Sequence, residues 1–139
     1  MAEDDDDDYL LTREALQEGR ILNTLYRVKN GEELMDYLLH RGNYRNLADA
    51  PEPAIILLDL NMPRMDGREA LREIKSNPLL RRIPIVILTT SKSEEDILQS
   101  YELGVNSYIR KPVSYDRLLE IVNKVTEYWL QIVMLPAQR

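Results

Sequence analysis

The chain has 139 residues, of which 44% are hydrophobic and 30% charged, and this is the composition of one globular domain. It contains no cysteine, which excludes disulfides and thiolate metal sites, and no apolar run reaches the ~20 residues of a membrane span. The net charge of −6 resides in residues 3–8, and the remainder is neutral, which argues against nucleic acid as a partner. We therefore expect a cytoplasmic domain that binds neither nucleic acid nor membranes.

The opening stretch MAEDDDDDYLLT (1–12) places six carboxylates ahead of the first predicted helix. An acidic run at a terminus is usually a solvated tail. The alternative is that one or two of these carboxylates hold a cation. The run by itself leaves both interpretations open, and the rest of the chain has to decide between them.

Hydrophobic patterns predict nine elements in which helices and strands alternate. Two apolar runs, at 54–60 and 83–90, lack polar alternation, which is typical of strands buried on both faces of a parallel sheet. The alternation predicts an α/β fold, a doubly wound parallel sheet with helices on both faces. In chain order the elements are a helix at 8–19, a strand at 25–30, helices and strands at 32–42, 54–60, 66–78, 83–90, 93–104 and 106–112, and a helix at 114–133.

Polar side chains end three of the predicted strands: Asp59, Thr89 and Lys111. Ligands of such sheets bind beyond the carboxyl ends of the strands, and acids just ahead of the first helix lie at the same edge. Some of residues 3–8 should therefore approach Asp59, and a divalent cation such as Mg²⁺ would relieve the repulsion. This combination suits phosphoryl transfer to Asp59, with Lys111 neutralising charge and Thr89 donating a hydrogen bond.

Three motifs, DLNMPRMDG (59–67), ILTTS (87–91) and YIRKP (108–112), resemble the receiver domain of bacterial two-component response regulators, which has a flavodoxin-like fold. The resemblance implies a signalling protein, not an enzyme, that takes a phosphoryl group from a sensor histidine kinase and changes conformation or dimerises. It implies that Pro112 follows a cis peptide bond. The roles it implies are phosphoacceptor for Asp59, Mg²⁺ ligands for Glu3, Asp4, Asp59 and the backbone carbonyl of Asn61, switch residues for Thr89 and Tyr108, and phosphoryl-binding lysine for Lys111.

Three further segments, RGNY (41–44), 88–109 and YWLQIVMLP (128–136), are similar to the small stand-alone regulators paired with bacterial phytochromes. This resemblance implies a light-sensing pathway with a phytochrome-type kinase. It also implies one receiver domain over 1–139 without an output domain, a C-terminal extension at 128–139, and a homodimer through 106–135. The apolar stripe that extends the last helix fits intramolecular packing equally well.

The start of the chain departs from the receiver pattern, because only Met1 and Ala2 precede Glu3. Receivers have about five apolar residues there, in a central strand whose buried side chains contribute roughly 1.5–3 kcal/mol each. We expect a truncated first strand. Either the chain begins further upstream, or another chain fills the position, or the N-terminal half is rearranged. The predicted positions of Glu3 and Asp4 depend on which of these holds, more than that of Asp59 does.

Two other functions remain open. A degenerate receiver could act as a phosphate-independent dimerisation module, although Asp59, Lys111 and the acidic pair are all present. A phosphatase with an aspartate nucleophile would need a second carboxylate two residues later, where this chain has Asn61, and an amide is no general acid or base. The single histidine, His40, is predicted to be structural or exposed.

Overall fold

The computed structural model describes residues 1–46 and 50–136. Within these residues the chain forms five α-helices and three strands, a 3₁₀ turn at Gly42–Tyr44 and a π-helical turn at Tyr128–Ile132. None of these helices combines the length and the apolar character needed to cross a membrane. In chain order the elements are α1 (Asp6–Glu18), α2 (Gly31–Leu38), β1 (Ile56–Leu58), α3 (Gly67–Ser76), β2 (Ile85–Thr89), α4 (Glu94–Leu103), β3 (Ser107–Arg110) and α5 (Tyr115–Glu127).

The sheet is parallel, and β2 lies between β1 and β3. Ile87 of β2 is opposite Leu58 on one side and Tyr108 on the other. All residues of β1 and β2 are buried, because helices cover both faces of the sheet. This confirms the predicted doubly wound parallel sheet.

Residues 1–3 lie in the sheet layer beside β1. Ala2 pairs in parallel with Val28 on one side and Leu58 on the other. Its N–H donates to the Leu57 carbonyl at 2.9 Å, and its own carbonyl accepts from the Asp59 N–H at 3.1 Å. These residues therefore lie between Val28 and β1, and the expected truncation of the first strand stays a prediction.

A cavity of about 310 Å³ borders Met1. Its lining includes Tyr26, Ile55 and Leu57, and Trp129 from the end of the last helix. The strand predicted at 25–30 pairs with the first strand at Val28 and is otherwise not formed as a regular strand. The backbone of Val28 exchanges hydrogen bonds with this segment, donating to the Met1 carbonyl and accepting from the Glu3 N–H, each at 2.9 Å.

Two apolar clusters pack against opposite faces of the sheet. Side chains of β2 contribute to both, because alternate residues of a strand point to opposite faces. One cluster joins the sheet to α2 and α3 through Leu34, Met35, Leu71, Ile74, Ile85 and Ile87. The other joins it to α1 and α5 through Leu11, Ala15, Leu88, Leu118 and Val122.

Side-chain caps begin all five α-helices. Ser93 and Asp96 have the spacing of a capping box in the sequence, and the Ser93 side chain accepts a hydrogen bond from the Asp96 N–H at 3.3 Å. Gly104 ends α4 with φ of 100°, a left-handed conformation that favours glycine. The N-cap residues are Asp5, Asn30, Asp66, Ser93 and Ser114.

Two expectations for the C-terminal third need correction. The helix predicted at 114–133 is α-helical only to Glu127, and the next residues form a π turn in which the Val133 N–H donates to the Tyr128 carbonyl at 3.0 Å. The bond between Lys111 and Pro112, implied to be cis, is trans like every other peptide bond of residues 1–46 and 50–136. Backbone pairing of Lys111 to the Thr89 carbonyl, at 2.7 Å, positions the lysine with this bond in the trans form.

Candidate functional site

Asp59 follows the last residue of β1 and is almost completely buried at the carboxyl edge of the sheet. Its Oδ1 accepts hydrogen bonds from the Thr89 hydroxyl at 2.7 Å and from the Asn61 backbone N–H at 3.2 Å. Lys111 Nζ lies 3.7 Å from its Oδ2. The structure therefore brings together the three strand-end side chains that the sequence singled out.

A turn at residues 60–66 packs tightly against the backbone of Asp59. The Gly67 N–H donates to the Leu60 carbonyl at 3.0 Å. A Cβ at Gly67 would lie 2.2 Å from the Asp59 carbonyl oxygen and 2.7 Å from the Leu60 Cα. Only glycine allows this close approach, which places the first turn of α3 directly behind Asp59.

The acids of the opening run do not share one structural role. Asp5 caps α1 by accepting from the N–H groups of Asp7 and Asp8, at 2.8 and 3.2 Å. Asp6 forms an ion pair with Arg27 at 2.7 Å. Glu3 and Asp4 lie at the carboxyl edge of the sheet. A solvated acidic tail is therefore not the structure that this run adopts.

Glu3, Asp4 and Asp59 form a group that could hold a metal ion, since one carboxylate oxygen from each lies within 4.8 Å of the other two. Glu3 and Asp59 are buried, while Asp4 is exposed to solvent, so a bound cation would keep access to water. An all-oxygen donor set with room for water suits Mg²⁺ or Mn²⁺. The predicted contribution of the Asn61 backbone carbonyl stays a prediction.

Lys111 is buried and surrounded by carboxylates. Its ammonium donates to Glu3 Oε1 and to Asp8 Oδ2, the latter at 2.7 Å. Burial by itself lowers the pKa of Lys111, but its hydrogen bonds to Asp8 and Glu3 and the negative charges of Glu3 and Asp59 raise it above its ordinary value. The lysine therefore remains charged and supplies positive charge beside Asp59.

Glu3 has a strongly perturbed acidity. Burial raises the pKa of its carboxyl to about 8; the hydrogen bond from Lys111 opposes this shift, and the negative charge of Asp59 reinforces it. A divalent cation beside Glu3 would favour the ionised carboxylate and so lower this pKa. The raised pKa of Glu3 is therefore the electrostatic signature of a site that gains from a cation.

The predicted switch residues lie on neighbouring strands. Thr89 ends β2 with its hydroxyl on Asp59, and Tyr108 of β3 is half-buried, with its hydroxyl donating to the Ser91 carbonyl at 2.9 Å. The loop that begins after Thr89 therefore contacts Tyr108 through the Ser91 carbonyl. This arrangement can couple the environment of Asp59 to β3 and α4.

Sequence reasoning missed two contacts of this region. Asp8 was not separated from its acidic neighbours, although it is an ion-pair partner of Lys111. The Arg68 guanidinium forms a two-pronged pair with Asp96 at 2.6 and 2.7 Å, whereas the sequence indicated only a capping role at Asp96. The spacing of 28 residues between Arg68 and Asp96 carries no local signal that could have revealed their pairing.

The model of the response regulator receiver domain family matches residues 1–123 of the chain. The chain belongs to this family. The match includes every residue assigned above to the carboxyl edge of the sheet. The resemblance stated from the three motifs is thereby confirmed.

Named relatives are similar over nearly the whole chain. The response regulator Rcp1 of Synechocystis sp. is 44% identical over 137 residues, which cover 99% of this chain and 91% of Rcp1. The crystal structure of the Mn²⁺-bound form of Rcp1 superposes with a TM-score of 0.92 at 43% identity, covering 98% of this chain and 96% of that one. The crystal structure of the phosphorylated cyanobacterial phytochrome response regulator RcpA superposes with a TM-score of 0.91 at 46% identity, covering 98% of this chain and 95% of that one.

Proposed function

We propose that this receiver accepts a phosphoryl group on Asp59 from a phosphohistidine of a sensor histidine kinase, in a reaction that requires Mg²⁺. The observation that carries the proposal is the set of groups around the buried carboxylate of Asp59, which are Glu3, Asp4, Thr89 and Lys111. Each group supplies something the transfer needs. The phosphorylated structure of RcpA and the Mn²⁺-bound structure of Rcp1 support it.

The transfer is a displacement at phosphorus. A carboxylate oxygen of Asp59 forms a bond to phosphorus, the P–N bond of phosphohistidine breaks, and the imidazole leaves with the bonding electron pair. A bound Mg²⁺ would neutralise the charge on the phosphoryl oxygens. Lys111, already 3.7 Å from Asp59 Oδ2, neutralises the remaining charge, and Glu3 and Asp4 would hold the cation.

The hydroxyl of Thr89 changes partner when the phosphoryl group arrives. It donates to Asp59 Oδ1 in this structure, and in the phosphorylated protein it would donate to a phosphoryl oxygen. The loop that follows then shifts, and the hydrogen bond from Tyr108 to the Ser91 carbonyl carries the shift to β3. The protein acts as a signalling switch and not as an enzyme.

The test is incubation with acetyl phosphate, followed by intact mass measurement. The parent should gain one phosphoryl group with Mg²⁺ and none with EDTA, and Asp59→Asn should gain none. Asp4→Asn should no longer be phosphorylated when Mg²⁺ is added. Asp7→Asn, the same change in the same acidic run, should be phosphorylated like the parent. Phosphorylation of Asp59→Asn at the parent's level would refute the assignment, and equal losses in Asp4→Asn and Asp7→Asn would refute the cation site.

We propose a phytochrome-type kinase as the donor and the cytoplasm as the compartment. RcpA is a phytochrome response regulator, and another similar structure, at 36% identity, is a response regulator in red light signalling of R. palustris. Phosphotransfer from a purified phytochrome kinase should be faster than from a histidine kinase with an unrelated sensor. Equal rates from the two kinases would contradict the pathway assignment.

We also propose a homodimer through residues 106–135, with 128–139 as a C-terminal extension. Residues 137–139 lie outside the described part. Three apolar side chains of this region, Tyr128, Ile132 and Met134, are exposed, and burying them against a second copy would be favourable. Trp129, in contrast, lines the cavity beside Met1 and serves intramolecular packing.

Light scattering over a concentration series tests this dimer. Ile132→Glu should shift the parent dimer to a monomer, while Leu79→Glu, at a similarly exposed leucine after α3, should leave it unchanged. A parent that remains a monomer at tens of micromolar would contradict the proposal. Equal effects of the two variants would show that the interface lies elsewhere.

A further inference from the structure

One ion pair spans the two loops that border Asp59. Arg68 lies in the first turn of α3 and Asp96 in the first turn of α4. The guanidinium donates from Nε to Oδ1 at 2.7 Å and from Nη2 to Oδ2 at 2.6 Å. The side chains are 29% and 12% exposed, so solvent screens this pair less than an ordinary surface ion pair.

Both partners also contact the loops themselves. Asp96 Oδ2 accepts from the Ser91 hydroxyl at 2.7 Å, in the loop that follows Thr89. On the other side, Arg68 approaches the Leu60 carbonyl and Asn61 Oδ1, each at 3.4 Å, in the turn that follows Asp59. The pair therefore joins the two loops across the carboxyl edge of the sheet.

The charges around Arg68 and Asp96 favour the ion pair. The hydrogen bond from Arg68, with a smaller contribution from Ser91, lowers the pKa of Asp96 to about 2, so the carboxylate is ionised at any physiological pH. Asp66 Oδ2 lies 3.6 Å from the same guanidinium and adds to its anchoring. The planar guanidinium donates to both carboxylate oxygens and thereby fixes the relative orientation of the two side chains, which a lysine ammonium would not do.

We propose that the Arg68–Asp96 pair is a clamp that holds together the loops after Asp59 and Thr89 and thereby slows hydrolysis of the phosphoryl group on Asp59. The proposal rests on the proposed function. In hydrolysis a water oxygen bonds to phosphorus, the bond from phosphorus to the Asp59 oxygen breaks, and phosphate and a proton are released. The water must approach opposite Asp59, where the turn with Asn61 and the loop with Ser91 border the site.

The clamp makes a prediction for the lifetime of the phosphorylated protein. After removal of the donor, Arg68→Ala and Asp96→Ala should each lose the phosphoryl group roughly three- to tenfold faster than the parent. The double alanine variant should be no faster than either single variant, because both remove the same contact. Arg72→Ala, at an exposed arginine one turn further along α3, is the matched control and should retain the parent's rate.

Hydrogen exchange tests the clamp without phosphorylation. In Arg68→Ala the amides of residues 90–97 should exchange roughly three- to tenfold faster, while those of α5 keep the parent's rates. Arg68→Lys should recover part of both the protection and the lifetime, since it keeps the positive charge beside Asp96 but not the bidentate contact. Recovery of this kind separates the clamp from a general loss of packing.

The outcomes distinguish the clamp from the proposed function. The clamp alone would be overturned if Arg68→Ala and Asp96→Ala are phosphorylated normally and keep hydrogen-exchange rates and phosphoryl lifetimes within twofold of the parent. Equal effects in Arg72→Ala, or additive effects in the double alanine variant, would overturn it as well. Absence of phosphorylation in the parent would overturn the proposed function. Faster hydrogen exchange in Arg68→Ala, reversed in part in Arg68→Lys, would still support the clamp between the loops.

Discussion

Gly67→Ala should displace the phosphoacceptor by a steric route, without any change of charge. The added methyl group would lie 2.2 Å from the Asp59 carbonyl oxygen and 3.0 Å from the Asp59 carbonyl carbon. A normal contact is roughly 1 Å longer than the first of these distances. The obstructing atoms are backbone, so no side-chain rotation relieves the clash, and either α3 or the end of β1 must move by about 1 Å.

The magnitude follows from two opposing contributions. Overpacking a well-filled site costs about 1–3 kcal/mol, and a rigid backbone obstacle places this site at the upper end. Alanine in place of glycine in a helix contributes at most about 1 kcal/mol in the other direction. We expect a net loss of about 2 kcal/mol in the free energy of unfolding, which lowers the urea midpoint by about 1 M.

The functional effect should exceed the effect on stability. A 1 Å misplacement of a reacting group can slow a reaction by about 100-fold, and Asp59 lies at the point of the clash. The assay is urea unfolding together with acetyl phosphate phosphorylation, measured where the variant remains folded. Gly19→Ala is the control, because its Cβ would lie 3.3 Å or more from its neighbours and its φ of −75° suits alanine.

The result that would refute this reasoning is a Gly67→Ala protein with the urea midpoint and the phosphorylation rate of Gly19→Ala. It would mean that the turn after Asp59 yields without cost. Loss of stability with an unchanged phosphorylation rate would show that α3 moves while Asp59 stays in place.

Three further predictions concern the core, the clamp and the lysine. Ile87→Ala, in the fully buried β2, should reduce the free energy of unfolding by about 2–5 kcal/mol, while Val113→Ala at an exposed position should change it by less than about 0.5 kcal/mol; equal urea midpoints would contradict this. The pKa of Asp96 is about 2 in the folded protein and about 4 when unfolded. The stabilisation by ionised Asp96 is therefore complete above pH 4 and is lost as the pH falls towards 2. The free energies of unfolding of the parent and of Asp96→Asn should differ by about 1 kcal/mol above pH 4, and urea unfolding should show this difference vanish as the pH falls towards 2. A difference that stays constant over this range would contradict the prediction. Lys111→Met should lower the melting temperature measured without Mg²⁺, because the carboxylates lose their only buried ammonium partner among the described contacts. Adding Mg²⁺ should then raise the melting temperature of the variant more than that of the parent, because the cation replaces the missing ammonium. An equal rise in the two proteins would contradict this.

The amino-acid sequence by itself located the reactive edge of the sheet. Asp59, Thr89 and Lys111 each follow or end a short apolar run, and in a parallel sheet the ends of such runs meet at one edge. The prediction needed only the hydrophobic pattern and the topology of α/β folds. Local signals also identified the helix starts, as at Ser93, because a cap involves residues only three positions apart.

The tertiary structure decided which acid of the opening run does what. The carboxylates of residues 3–8 are chemically near-identical, and their roles differ through burial and through distant partners: Lys111 for Glu3 and Asp8, Arg27 for Asp6. The strand predicted at 25–30 is formed only at Val28, which pairs with Ala2, and this pairing too joins residues that are distant in the chain. Pairings over long sequence separations, such as Arg68 with Asp96, leave no periodic pattern along the chain, and they exist only once the helices have packed on the sheet.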